Sequence, residues 1–168
     1  MKKETYEKIF KVIGTNNENT GLWSLIGAII TACTCICYAA TIADRIILSQ
    51  WRELEVLVLV PALSFVAVSI FRRVYNAKRP YEVYGFRPLI FKNTKGKSFP
   101  SRHVFSIFVI AVTVGYFYPS ACAALVMAGV LLGVIRVITG VHFPRDVIAG
   151  GIVGIFFGIV ADILLFLL

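Results

Sequence analysis

Between Val104 and Ile135 the chain carries no Asp, Glu, Lys, Arg or His. A hydrocarbon core about 30 Å thick is crossed by about 20 apolar residues in a helix, so this run is too long for one crossing. Tyr118, Pro119 and Ser120 interrupt it, because proline cannot continue the hydrogen-bond ladder of the preceding turn. Two rather short helices are therefore predicted, near 102–118 and 120–138, joined by a tight turn.

Three further apolar windows, 22–43, 54–71 and 147–168, raise the expected number of spans to five. The chain is 58% hydrophobic and 15% charged, a balance that excludes an ordinary soluble domain. Ahead of the first span, Tyr6, Ile9, Phe10 and Ile13 recur at helical spacing among charged residues. That pattern predicts an interfacial helix lying on the membrane surface, or else a tail, within residues 1–21. No small-residue cleavage site follows a suitable apolar stretch, so a signal peptide is not expected. The expected fold is an all-α integral membrane helical bundle: a single domain over 1–168, with the transmembrane part at 22–168.

Cys33, Cys35, Cys37 and Cys122 all fall in apolar spans without His or carboxylate support, and read as packing residues rather than metal ligands. Charge is more informative. The net charge is +8, and nine of the 17 basic residues lie between Phe71 and His103, opposed there by Glu82 alone. A basic loop between spans can be an ordinary cytoplasmic loop, a contact with anionic lipid or a phosphate site. Nucleic acid fits poorly, since no soluble domain presents such a surface.

The two histidines, His103 and His142, each border an apolar span beside an arginine. In a five-span topology their loops face the same side and converge. Arg136 closes span four, and Asp146 follows His142 by four positions, in the first helical turn if Pro144 opens span five. Asp146 could serve merely as a dipole or cap residue. It could also hold a proton on one nitrogen of His142 and leave the other bare, as a basic or nucleophilic imidazole requires.

Three segments then stand out together: Arg72 and, after six residues, Arg79-Pro80; Pro100-Ser101-Arg102-His103; and Arg136, five residues, His142, three residues, Asp146. Their order and spacing resemble the three signature motifs of the type 2 phosphatidic acid phosphatase superfamily, over about the C-terminal 100 residues. Three departures are visible: Arg72 where the family usually has Lys, Arg102 where it has Gly, and Ile135 where it has Ser. The family also commonly has six spans.

The resemblance implies a membrane lipid phosphatase without metal or other cofactor. It makes His142 the nucleophile, supported by Asp146, and His103 the acid and then the base. Arg72, Arg79 and Arg136 clamp the phosphoryl oxygens, with Ser101, Arg102 and backbone donors at the start of span three. Undecaprenyl diphosphate is the first-choice substrate, because the surplus cations Lys97 and Arg102 could hold a second phosphate. Phosphatidylglycerophosphate, phosphatidate and lipid A phosphates are the alternatives, and a catalytically silent lipid-binding or transport protein is the rival of another class. The expected location is a bacterial cytoplasmic membrane. Lys2, Lys3, Lys8, Lys11 and the Lys92–Lys97 cluster place the site side in the cytoplasm by the positive-inside rule, whereas the family precedent places it outside.

Overall fold

Long apolar stretches can satisfy their backbone polar groups inside a membrane only as helices or closed barrels, and this chain takes the helical solution. The computed structural model describes residues 1–13, 18–90, 92 and 94–168. Seven helices follow one another: α1 (Lys3–Ile13), α2 (Glu18–Ile47), α3 (Trp51–Tyr75), α4 (Pro80–Tyr84), α5 (Arg102–Gly115), α6 (Pro119–Ile138) and α7 (Pro144–Phe166). Among the described residues there is no strand. Four helices, α2, α3, α6 and α7, are long and apolar enough to cross a membrane. Their outward faces expose Leu25, Leu63, Met127 and Ile152, as a lipid-facing surface requires.

The fifth apolar helix, α5, is shorter than the expected 102–118 and differs in kind. Its 14 residues rise about 21 Å, less than the hydrocarbon thickness. It is also the most enclosed helix, with Val104, Phe105, Ile107, Val109, Ala111 and Val114 buried. The close approach of α7 explains this burial. A Cβ on Gly150 would stand 2.6 Å from the Ser101 carbonyl oxygen, and one on Gly154 would stand 2.7 Å from that of Phe105. Glycines one turn apart thus let the two backbones touch, the usual device for membrane helices that gain nothing from hydrophobic expulsion.

Proline sets two of the helix starts: Pro144 opens α7 as expected, and Pro119, read as part of the break, is itself the first residue of α6. At one end of the bundle, Arg45 pairs with Glu53 at 2.9 Å, and Tyr118 donates to Asp44 at 2.5 Å. These contacts tie the α2–α3 connection to the α5–α6 turn. The other end gathers the 76–101 segment, the 139–143 loop and α1.

The amphipathic helix forms where its periodicity predicts, and one residue of its apolar face, Tyr6, packs into the protein. Tyr6 is fully buried against the 76–101 and 139–143 segments, within 5.2 Å of Phe86 and 6.4 Å of Phe143 between ring centroids. Its hydroxyl donates to the His142 carbonyl at 3.3 Å. Burial raises the Tyr6 phenol far above its ordinary pKa, so it stays a neutral donor. Protein aromatics therefore anchor this helix through Tyr6.

Candidate active site

Arg72 closes the last turn of α3, and its guanidinium reaches across to the 97–100 segment. It donates to the carbonyls of Ser98, at 3.3 Å, and of Lys97 and Pro100. Arg79, the residue before α4, donates to the carbonyls of Gly96 at 3.0 Å, Val141 at 3.3 Å and Lys97 at 3.4 Å. Both guanidinium groups are buried, yet carbonyl dipoles rather than carboxylates satisfy them. Their hydrogen-bonding needs are met without their charge being neutralised, which leaves that charge for an anion.

The turn that supplies these carbonyls depends on Gly96 and Lys97, at φ of 63° and 54°. The positive φ favours glycine at Gly96, and a Cβ there would also stand 2.1 Å from Asn76 Oδ1 and oblige that side chain to turn aside. Glu82 is occupied by the same turn. It accepts from the Gly96 amide at 2.8 and 3.0 Å and from the Arg79 amide at 2.8 Å. Its charge therefore shapes the loop that carries the cations.

These elements enclose a cavity of about 460 Å³ lined by Arg72, Arg79, Lys92, Arg102, His103 and His142 with further loop lysines, and by no carboxylate. Burial and the nearby arginines, Arg79 first, push the Lys92 ammonium down to about 8. Such crowding of like charge is unfavourable until an anion enters. Arg102 is exposed at the rim, its guanidinium 5.2 Å from the centroid of the Phe65 ring.

His142 closes the cavity floor, 2% exposed. Its ring nitrogens face different surroundings: Nε2 lies 3.5 Å from Arg79 Nη1, while Nδ1 lies 3.3 Å from Ser98 Oγ and 3.5 Å from Asp146 Oδ2. Asp146 is fully buried in the first turn of α7, where Oδ2 also accepts the Phe143 amide at 3.0 Å. Burial, reinforced by Arg79 and offset in part by Asp146, pushes the His142 imidazole down to about 4. The ring is therefore neutral at physiological pH and carries a lone pair.

Of the eight residues singled out in the sequence, Arg72, Arg79, Arg102, His103 and His142 line the cavity, and Asp146 backs His142. Ser101 and Arg136 are buried but do not line it. Ser101 Oγ and Arg136 Nε have no hydrogen-bond partner among the described residues. Backbone contacts still bind both residues to the site: the Ser101 amide donates to the Asp146 carbonyl at 2.7 Å, and the Arg136 carbonyl accepts the His142 amide at 3.0 Å. Sequence reasoning missed Ser98, which touches His142 and Asp146 at once, and Tyr6 beneath the His142 loop. It met Lys92 only as one member of a charge cluster. No group of three or more His, Cys, Asp or Glu among the described residues is arranged to hold a metal.

A second cavity, apolar and about 690 Å³, runs between α2, α3 and α5 past Tyr38, Pro61 and Phe65. Arg102 and His103 line it as well. The cationic cavity and the apolar groove therefore meet at these two residues.

The sequence and the fold both have counterparts among known proteins. Lipid A 1-phosphatases of Rhizobium johnstonii and Rhizobium etli are each 28% identical to the chain over 105 residues, 60% of its length. The chain spans 43% and 45% of the lengths of these curated relatives. Among solved structures, LpxE of Aquifex aeolicus superposes with a TM-score of 0.68 at 23% identity, covering 92% of each chain. A PAP2-type phosphatidylglycerolphosphate phosphatase of Bacillus subtilis gives 0.61 at 22%, covering 95% of this chain and 83% of that one. At these identities the structural likeness establishes the fold. The profile of the PAP2 superfamily matches residues 53–166, which contain all three motifs and the helices that bring them together, and the chain belongs to that superfamily.

Proposed function

We propose that the protein is a membrane phosphohydrolase that removes a phosphate from a lipid, with the headgroup in the cationic cavity and the hydrocarbon chain in the apolar groove. The observation that carries this reading is the junction of the two cavities at Arg102 and His103. A soluble phosphate ester has no use for the groove, and an apolar ligand has no use for the cations. The Rhizobium relatives and the PAP2 membership support the same class of reaction.

His142 Nε2 attacks phosphorus, and the bond to the lipid oxygen breaks as that oxygen takes a proton from His103, which enters the step as the imidazolium. Burial and the surrounding cations push His103 down to about 3, and the bound phosphate anion raises it. Neutral His103 then removes a proton from water. The hydroxide displaces the Nε2 atom from phosphorus, releasing inorganic phosphate and restoring both histidines. Arg72 and Arg79, which line the cavity, stabilise the charge that grows on the phosphoryl oxygens, while Arg136 holds the His142 loop through its carbonyl. These guanidinium groups supply the neutralisation that a divalent cation gives in other phosphatases, so the reaction needs no metal. Ser101, outside the cavity lining, ties the start of α5 to Asp146 through its amide.

The favoured substrate is undecaprenyl diphosphate. Arg72 and Arg79 suffice for one phosphate, and Lys92, Lys97 and Arg102 line the same cavity and can hold another. Lipid A 1-phosphate is the second reading, favoured by the Rhizobium relatives. Phosphatidylglycerophosphate and phosphatidate complete the set to be tested. In a bacterial cytoplasmic membrane all four lie within reach of a site at the bilayer surface.

Phosphate release from the four lipids, measured on the purified protein in detergent with excess EDTA, tests the proposal. The expected result is the highest kcat/KM for the diphosphate, undiminished by the chelator, with an acid-labile phosphoenzyme that His142→Gln abolishes. Release of phosphate from none of the lipids would favour a silent binding protein. Loss of activity on chelation, restored by magnesium, would refute the metal-free mechanism.

A further inference from the structure

Ser98 lies in neither the three motifs nor the cavity lining, yet it is fully buried between His142 and Asp146. Its amide donates to the Ala77 carbonyl at 2.9 Å, and its carbonyl accepts from Arg72 at 3.3 Å. The residue is therefore pinned on both backbone sides, and its side chain has one place to go. Oγ lies 2.5 Å from Asp146 Oδ2 and 3.3 Å from His142 Nδ1.

A hydroxyl has a single proton, and a carboxylate has none to offer. The short contact to Asp146 therefore uses the Ser98 proton, and what Oγ presents to His142 is a lone pair. Nδ1 must then be the protonated nitrogen, which leaves Nε2 bare beside Arg79. The direct Nδ1 to Asp146 separation, 3.5 Å, is long for a hydrogen bond, and Oδ2 already accepts from Ser98 and the Phe143 amide. Asp146 alone is poorly placed to hold the ring.

We propose that Ser98 is the positioning residue of His142: its hydroxyl stands in the His142–Asp146 pair and selects the Nδ1-protonated ring. The assignment rests on the reading of His142 as nucleophile. When the Nε2–phosphorus bond forms, Nδ1 keeps its proton and the ring becomes cationic. Ser98 then conveys the influence of the Asp146 charge to that cation without itself giving up a proton.

Ser98→Ala removes one oxygen and keeps both backbone hydrogen bonds, so it isolates the hydroxyl. The chain has two histidines, and nitrogen-15 labelling with long-range proton correlation in micelles reads their tautomers directly, with His103→Gln assigning the signals. The wild type is expected to show a single Nδ1-protonated His142 at neutral pH. Ser98→Ala is expected to show exchange between the two tautomers, with kcat lowered on the order of 10- to 100-fold, as for lost outer hydrogen bonds at other sites, and KM unchanged. A purely structural Ser98 would leave the tautomer alone. If Ser98→Ala retains the single tautomer, the proposal is overturned whatever its turnover. Full turnover by His142→Gln would instead remove the nucleophile reading, and leave the tautomer measurement standing.

Discussion

Arg79 Nη1 stands 3.5 Å from His142 Nε2, at the ring nitrogen that Ser98 and Asp146 leave free. In the proposed reaction, the guanidinium that receives the phosphoryl oxygens is thus already in place beside the atom that attacks. Its other donors are held by three carbonyls, so its plane is fixed before substrate arrives. Arg79→Lys keeps the charge and loses the fork. The expected loss in kcat/KM is on the order of 10²-fold, about 3 kcal/mol, the size seen when one oriented donor is removed from a transition state. Wild-type kinetics in the lysine variant would remove Arg79 from the phosphoryl clamp.

His142 titrates near 4 in the folded protein and near 6.5 when free of it. Between those values the unfolded chain binds the proton first, so stability falls as pH drops. The stability contributed by the neutral ring is complete above about 6.5 and disappears toward about 4. Melting temperatures in micelles should therefore decline across this window. His142→Gln, which cannot titrate, should show a smaller decline over the same range.

Lys92 titrates near 8, because burial and the neighbouring arginines oppose its charge. Below that pH it adds a cation to the cavity, and above it that cation is gone. Inhibition by inorganic phosphate should weaken as pH rises through about 8. Lys92→Arg stays charged and should flatten the change. Inhibition constants on either side of this pH, for both proteins, check the expectation.

The α5–α7 contact supplies a prediction with its own control. Gly154→Ala places a Cβ 2.7 Å from the Phe105 carbonyl oxygen, and overpacking of this kind costs about 1–3 kcal/mol. Gly151→Ala meets nothing nearer than 3.7 Å, an ordinary contact, and should be close to neutral. Thermal melts of the two variants should separate clearly. Equal melting temperatures would mean that the two helices can move apart at little cost.

Hydropathy made the helices legible, because an uncharged run and the prolines that interrupt it act locally. The motif residues were legible for another reason: their spacing places them at ends of helices that share one side of a membrane. Ser98 was not legible. It lies 44 positions from His142 and 48 from Asp146, in a segment without periodicity, and nothing short of the folded loop brings it between them. Tyr6 was legible as part of an amphipathic face, but not its contact with the His142 loop, because periodicity reports that a face is buried and not what buries it. The helical glycines Gly150, Gly154 and Gly158 were present in the sequence at four-residue spacing, and would have announced the α5–α7 contact.

The start of α5 lies well inside the bundle. Ser101 is beside Asp146 and Gly150, two and six positions past the first residue of α7, so α5 begins up to about 9 Å deeper than its neighbour. A helix about 9 Å shorter than the hydrocarbon thickness leaves that same deficit. At the opposite end the α5–α6 turn is level with Asp44 through Tyr118, so the missing length falls on the side of His103. The cationic cavity is thus recessed among the helices rather than perched above their ends. In the proposed function, a lipid headgroup reaches it by descending while its chain stays among other chains, and the work of lifting hydrocarbon into water does not arise.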